Sequence, residues 1–171
     1  MTSAAPADPR ETFLRALERE HATTVRVLRA YPPEKMDLQP HPKSKSARDL
    51  AFLFVMEQAL AQKALTTGFD WSNPPAGPPS PPETMEDIIA AFEAGHAQMV
   101  ELVRGMSDET LHGTARFFVA PKTLGDIPMM DFLWFLLHDQ IHHRGQFSVY
   151  LRMADGRVPS IYGPTADEPW F

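Results

Sequence analysis

Apolar residues recur along this chain in four separated stripes at intervals of three and four, each behind a helix-start signal. The first opens at Asp8-Pro9-Arg10-Glu11, with an N-cap aspartate, proline at the first helical position and an acid in the first turn. Phe13, Leu17, His21, Thr24, Leu28 and Tyr31 then share one face until Pro32-Pro33 ends it, which predicts a helix over 8–31. A second helix, over 46–67, opens at the box-like cap Ser46-Ala-Arg-Asp49. It carries a nearly continuous apolar run from Leu50 to Met56, turns polar at Glu57 and stops at Gly68. A third, over 84–105, starts at Thr84 and aligns Ile88, Ile89, Phe92, His96, Met99 and Val103. The fourth, over 126–153, opens at Asp126 with Pro128 in its first turn. It is apolar nearly all round through Phe135, the pattern of a helix buried on more than one side.

The segments between them read as connectors. Glu34 to Lys45 is polar, and Pro74 to Pro82 holds six prolines in nine residues, which excludes helix and central strand and predicts a stiff surface crossover. Gly113 to Gly125 contains a brief β-like run, Phe117-Phe-Val119, and otherwise reads as loop. Residues 156–171, with three prolines and two glycines, read as a surface tail. The expectation is one all-α domain over 1–171: a four-helix bundle with a long Pro-rich crossover between its second and third helices.

Composition narrows the chemistry. The chain has 171 residues and no cysteine, so disulfides, thiolate ligands and cysteine nucleophiles are excluded, and a metal would need imidazole and carboxylate. The same lack fits a cytoplasmic protein. A net charge of -6 argues against nucleic acid as partner. No apolar run approaches the roughly 20 residues that span a bilayer, and Met1 to Asp8 lacks the charged and apolar regions of a signal peptide.

The chemistry-bearing residues concentrate at His138-Asp-Gln-Ile-His-His-Arg144. Helical spacing creates two interleaved pairs, His138 with His142 and Asp139 with His143, about 100° apart around the axis. Either pair can grip a divalent ion. The alternative for Asp139 and His143 is a hydrogen bond in a metal-free core, and for His138 and His142 a helix–helix or dimer contact. His21 and His96 each lie on an apolar stripe, as satisfied core residues or as reserve ligands and pocket bases. His41 and His112 fall in connectors. Gly145 suggests close packing of another backbone, and Gln146 is placed to orient a ligand.

His142-His-Arg-Gly-Gln146, Val149-Tyr-Leu-Arg152 and Val158-Pro-Ser-Ile-Tyr-Gly163 resemble the DinB/YfiT-like family. So does Leu28-Arg-Ala-Tyr-Pro-Pro-Glu-Lys-Met-Asp-Leu-Gln-Pro-His-Pro42 leading into Ser46-Ala-Arg-Asp-Leu50, and the similarity runs along nearly the whole chain. The resemblance implies a four-helix bundle, often a homodimer, with a divalent metal on three histidines, and for some members thiol-dependent transferase activity. In the family the fourth-helix pair is His-x-x-x-His, the second histidine directly before Arg-Gly. Those positions are Asp139 and His143 here, while the second-helix histidine falls at Leu53, or at Phe54 in a shifted register. Glu57, one turn beyond Leu53, can reach the vacated centre. The expected ligand set is thus Glu57, Asp139 and His143, with His138 and His142 in reserve, holding zinc, nickel or manganese.

Two functions follow as expectations. One is a metal-dependent transferase, using a low-molecular-weight thiol, or a hydrolase, in which the ion lowers the pKa of a thiol or water and His21 or His96 accepts a proton. The other is a non-catalytic, dimeric binding or stress-associated bundle that has lost its metal.

Overall fold

The computed structural model describes residues 8–74 and 77–171. The signal-peptide reading falls mainly on residues 1–7, outside the described residues, as do residues 75 and 76 of the proline crossover.

Four long helices form where the stripes place them: α1 (Pro9–Arg29), α2 (Ala47–Leu65), α3 (Met85–Arg104) and, after a short α4 (Asp108–Leu111), α5 (Met129–Met153). The N-caps are satisfied locally. Arg10 N donates to Asp8 Oδ1 at 2.9 Å, Asp49 N to Ser46 Oγ at 3.1 Å, and Asp87 N to Thr84 Oγ1 at 3.1 Å. A cap of this kind is worth about 1 kcal/mol. A single 3-10 turn, Pro33–Lys35, follows α1.

The start of α5 corrects the sequence reading. Thr114–Ala120 (β1) and Thr123–Pro128 (β2) pair antiparallel as a hairpin, so Asp126 to Pro128 are strand, and Pro128 caps a helix that begins at Met129. The signal was weak because the turn at Pro121-Lys122 lacks the Asn-Gly or Asp-Gly pair that marks tight hairpins. Lys122 takes a positive φ of 60° there instead. The ladder is irregular between Phe118 and Ala120, and a Cβ on Gly125 would come within 2.8 Å of Val119 Cγ1, so a larger residue there would push the Val119 side chain aside. Trp71 Nε1 donates to Arg116 O at 2.7 Å, and Phe69, Phe117 and Phe132 pack beside it. Trp71 thereby clips the hairpin to the linker after α2.

In the bundle, α2 packs on α3 and α5, and α1 packs on the same two helices. The core is not continuous. One apolar cluster joins Leu28, Phe54, Ile88, Phe92, Phe147 and Leu151; the other joins Phe13, Leu17, Met99, Val103, Phe132 and Leu133. Between them every long helix turns polar: Glu20 and His21 on α1, Glu57 and Gln58 on α2, His96 on α3, and Asp139, Gln140, His143 and Arg144 on α5. A polar layer across the middle of a bundle is costly unless its members satisfy one another or a ligand. It is there that chemistry is to be sought.

The tail after α5 folds back along the bundle. Arg26 bonds to Ser160 O, Val158 N donates to Asp167 Oδ2 at 2.8 Å, and Trp170 Nε1 donates to Ser160 Oγ at 3.0 Å.

Candidate metal centre

Two sites divide the polar layer. In the first, Arg144 is almost wholly enclosed, and its Nη2 donates to Glu20 Oε2 and to Tyr162 Oη, both at 2.7 Å. Its Nη1 donates to Thr24 Oγ1 at 3.2 Å and to Glu20 O at 3.1 Å, and Tyr162 Oη donates to Glu20 Oε2 at 2.7 Å. Burial acts to raise the Glu20 carboxyl, but hydrogen bonds from Tyr162, Arg144 and Arg19 outweigh it and hold it below the usual carboxylate range. Both guanidinium Nη atoms and both Glu20 oxygens are hydrogen-bonded, so this is a structural pair binding α1, α5 and the tail. A buried arginine after two histidines reads from sequence only as structural; its acid partner on α1 carries no signal.

The second site is less complete. His143 Nδ1 donates to Glu57 Oε1 at 2.6 Å, and Asp139 Oδ1 stands 4.0 Å from the same nitrogen. One ligand atom from each of Glu57, Asp139 and His143 lies within 4.8 Å of the others, a spacing that suits a single cation. Glu57 is buried, its Oε2 has no hydrogen-bond partner among the described residues, and Asp139 keeps contact with solvent. Burial pushes the Glu57 carboxyl up to about 7, and the negative charge of Asp139 adds to the rise while His143 opposes it. The hydrogen bond to Glu57 raises the His143 imidazole above its ordinary value, with burial opposing. Both groups thus hold protons more tightly than usual, and the pair keeps one near neutrality. A carboxylate oxygen, a second carboxylate and an imidazole are donors that a divalent cation can use, with water completing its shell.

The remaining sequence candidates lie elsewhere. His138 and His142 are on the exposed side of α5: His138 lies against Trp134, and His142 Nε2 is 2.8 Å from Gln146 Nε2. They stand outside the ligand group because one residue's rotation carries them off the buried face. Gln146 therefore contacts His142 rather than His143. A Cβ on Gly145 would meet nothing within 4 Å, so no backbone packs there within this chain. His41 and His112 are exposed, as expected of connectors.

His21 and His96 do meet, stacked at 3.7 Å between ring centroids and 7° between planes, with Phe92 alongside. The Nδ1 atom of each is buried without a partner among the described residues. Ring-nitrogen lone pairs lie in the ring plane, so those of two parallel stacked rings cannot converge on one ion. These histidines are not in the ligand group among the described residues. Burial, helped by His96, pushes His21 down to about 4, and burial lowers His96 too, so the pair is neutral at neutral pH.

A cavity of about 450 Å³ opens beside His143, bounded by Leu53 and Tyr150. Leu53, where a second-helix histidine was expected by resemblance, lines this cavity, while Phe54 is wholly buried in the core.

Residues 16–147 match the family model described as the DinB superfamily. The chain belongs to that superfamily. A DinB-like protein from Bacillus cereus has a similar crystal structure, with a TM-score of 0.73 and 23% identity over 89% of this chain and 97% of that one. A DinB-like protein from Bacillus subtilis, YjoA, gives a TM-score of 0.66 at 16% identity over 88% of this chain and 96% of that one. Both establish the fold. The uncharacterized protein YrdA of Bacillus subtilis is 36% identical over 76 residues, which span 44% of this chain and only 42% of that protein. In this chain α2 brings Glu57 to meet His143 of α5, with Leu53 one turn before Glu57 on α2.

Proposed function

We propose that this DinB-superfamily protein is a divalent-metal-dependent enzyme of the cytoplasm, a thiol-dependent transferase or a hydrolase acting on a small molecule. Glu57, Asp139 and His143 would hold zinc, nickel or manganese. The observation that carries the reading is the unpartnered, buried Oε2 of Glu57, set among the other two ligand candidates and next to an open cavity. A cation bound there supplies Lewis acidity and lowers the pKa of a thiol or water. The chain's own residues do the rest. Burial keeps the Glu57 carboxyl from drawing in bulk water, Asp139 connects the centre to solvent, and His143 presents its ring toward the cavity. His21, neutral and unpartnered at Nδ1, is a proton acceptor within the same polar layer.

A homodimer is part of this proposal. Phe135, His138, His142, Gly145, Val149 and Met153 are all exposed and follow one another by three or four residues along α5. That spacing makes a seam suited to a second helix, with Gly145 leaving room for close approach. No helix is long and apolar enough to cross a membrane among the described residues.

A second reading keeps the bundle and dispenses with the metal. It is favoured by the 2.6 Å hydrogen bond that already joins His143 to Glu57, and by Leu53. The alanine variants Asp139→Ala and His143→Ala separate the two. An enzyme loses both metal uptake and turnover of thiol-acceptor or hydrolytic substrates; a metal-free binding bundle takes up no metal in any form and changes only in stability.

A further inference from the structure

The cavity beside His143 has walls of unlike character. Leu50 and Leu53 from α2 and Val149 from α5 give an apolar side, with the ring of Tyr150 at its base. On the opposite chemistry stand Lys45, Ser44 and Gln146, and no carboxylate is among the residues lining the cavity. Lys45 lies close enough for its charge to act on His143. Its position is fixed by the backbone: Tyr150 Oη donates to Lys45 O at 3.0 Å, tying the start of α2 to the last turns of α5. The exposed ammonium group makes no ion pair among the described residues and is available to an anion in the cavity. A volume of about 450 Å³ is in the range of small-molecule sites.

We propose that this cavity binds the substrate of the candidate centre as a small amphipathic carboxylate. Its apolar chain or ring lies against Leu50, Leu53 and Val149, its carboxylate pairs with Lys45, and its far end is delivered to His143. One lysine, one amide and one hydroxyl neutralise a single negative charge; a phosphate dianion needs more donors than the cavity offers. The inference rests on the proposed function for its view of the bound molecule as substrate, but the binding itself does not require metal.

The test uses the chelator-treated full chain, observed by backbone-amide NMR during titration with hexanoate, hexanamide and inorganic phosphate. Hexanoate should bind at millimolar concentration and move the signals of Ser44, Lys45, Leu53, Gln146 and Val149. Hexanamide should bind at least about tenfold more weakly, and phosphate should leave those signals in place. Lys45→Gln should erase the preference for hexanoate over hexanamide while leaving the spectrum of the fold intact, because Tyr150 is held by the Lys45 backbone and not its side chain. Equal binding of acid and amide, phosphate binding as tight as hexanoate, an unchanged preference in Lys45→Gln, or shifts confined to other surfaces would each overturn the proposal. Metal uptake is measured apart from this titration. Carboxylate binding without metal uptake retains the pocket and removes the metal reading; the reverse removes the pocket alone.

Discussion

His143 on α5 and Glu57 on α2 are joined by a 2.6 Å hydrogen bond across the boundary between the two apolar clusters, and the second oxygen of Glu57 has no partner among the described residues. The pair is therefore tightly coupled yet unfinished. A proton completes it in part; a cation completes it fully, and the two compete.

That competition sets the pH dependence of metal uptake. Burial holds the Glu57 carboxyl at about 7, so binding a cation must expel a proton from the pair below that pH. Affinity for zinc should fall about tenfold for each pH unit below 7. In metal-free protein the sign reverses: the raised value of Glu57 favours the fold below its ordinary value of 4.5, and this contribution is lost as pH rises through about 7. Glu57→Gln mimics the protonated acid, so it should keep stability, flatten that pH dependence and abolish uptake. Calorimetric titration with zinc at several pH values, and thermal melts of both forms, check all three.

The stacked histidines work in the opposite direction. His21 titrates at 6.5 in an unfolded chain but at about 4 in the fold, so as pH falls through 6.5 the unfolded state takes up a proton that the native state refuses. Stability should decline steadily toward pH 4. His21→Phe removes the refusal and keeps an aromatic ring against Phe92. It should spare about 1 kcal/mol of the loss between pH 7 and pH 5, after allowing for partial screening by solvent, as read from denaturant unfolding.

Arg144→Met should cost about 3–5 kcal/mol, because it strands the Glu20 carboxylate in the interior. Tyr162→Phe, which removes one hydroxyl from the same network, should cost only about 1 kcal/mol. Equilibrium unfolding in urea distinguishes the two. Equal costs would mean that the tail, rather than the ion pair, holds α1 to α5.

Much of this architecture was legible in the residues. The helix caps at Asp8, Ser46 and Thr84 are local signals, set by side chains that bond to backbone groups two or three residues away. The candidate group of Glu57, Asp139 and His143 was reachable because helical spacing aligns Asp139 with His143, while Glu57 was picked out by the family resemblance, which points to the turn of α2 around Leu53. The hairpin was not legible, since its strands bury little beyond Ala115 and its turn carries no glycine pair. Which of His142 and His143 Gln146 contacts was not legible, because a helix so apolar at its start gives no sign of which face its later turns expose. The contacts of Glu20 with Arg144, and of His21 with His96, join helices far apart in sequence, and no local pattern announces them.

The exposed seam of α5 should make the protein a dimer at micromolar concentration. Phe135→Lys combined with Met153→Lys places charges at both ends of that seam, on side chains already half exposed. The variant should sediment as a monomer while its melting temperature changes little. A wild-type protein that sediments as a strict monomer removes the dimer.

The most direct test of the metal centre is anomalous diffraction at the zinc edge from crystals soaked in zinc after removal of adventitious metal. A single strong peak between Glu57, Asp139 and His143, absent in Glu57→Gln, is the expected result. No peak at that point, with zinc bound only at His138 and His142 or not at all, would contradict the proposed centre and leave the metal-free bundle.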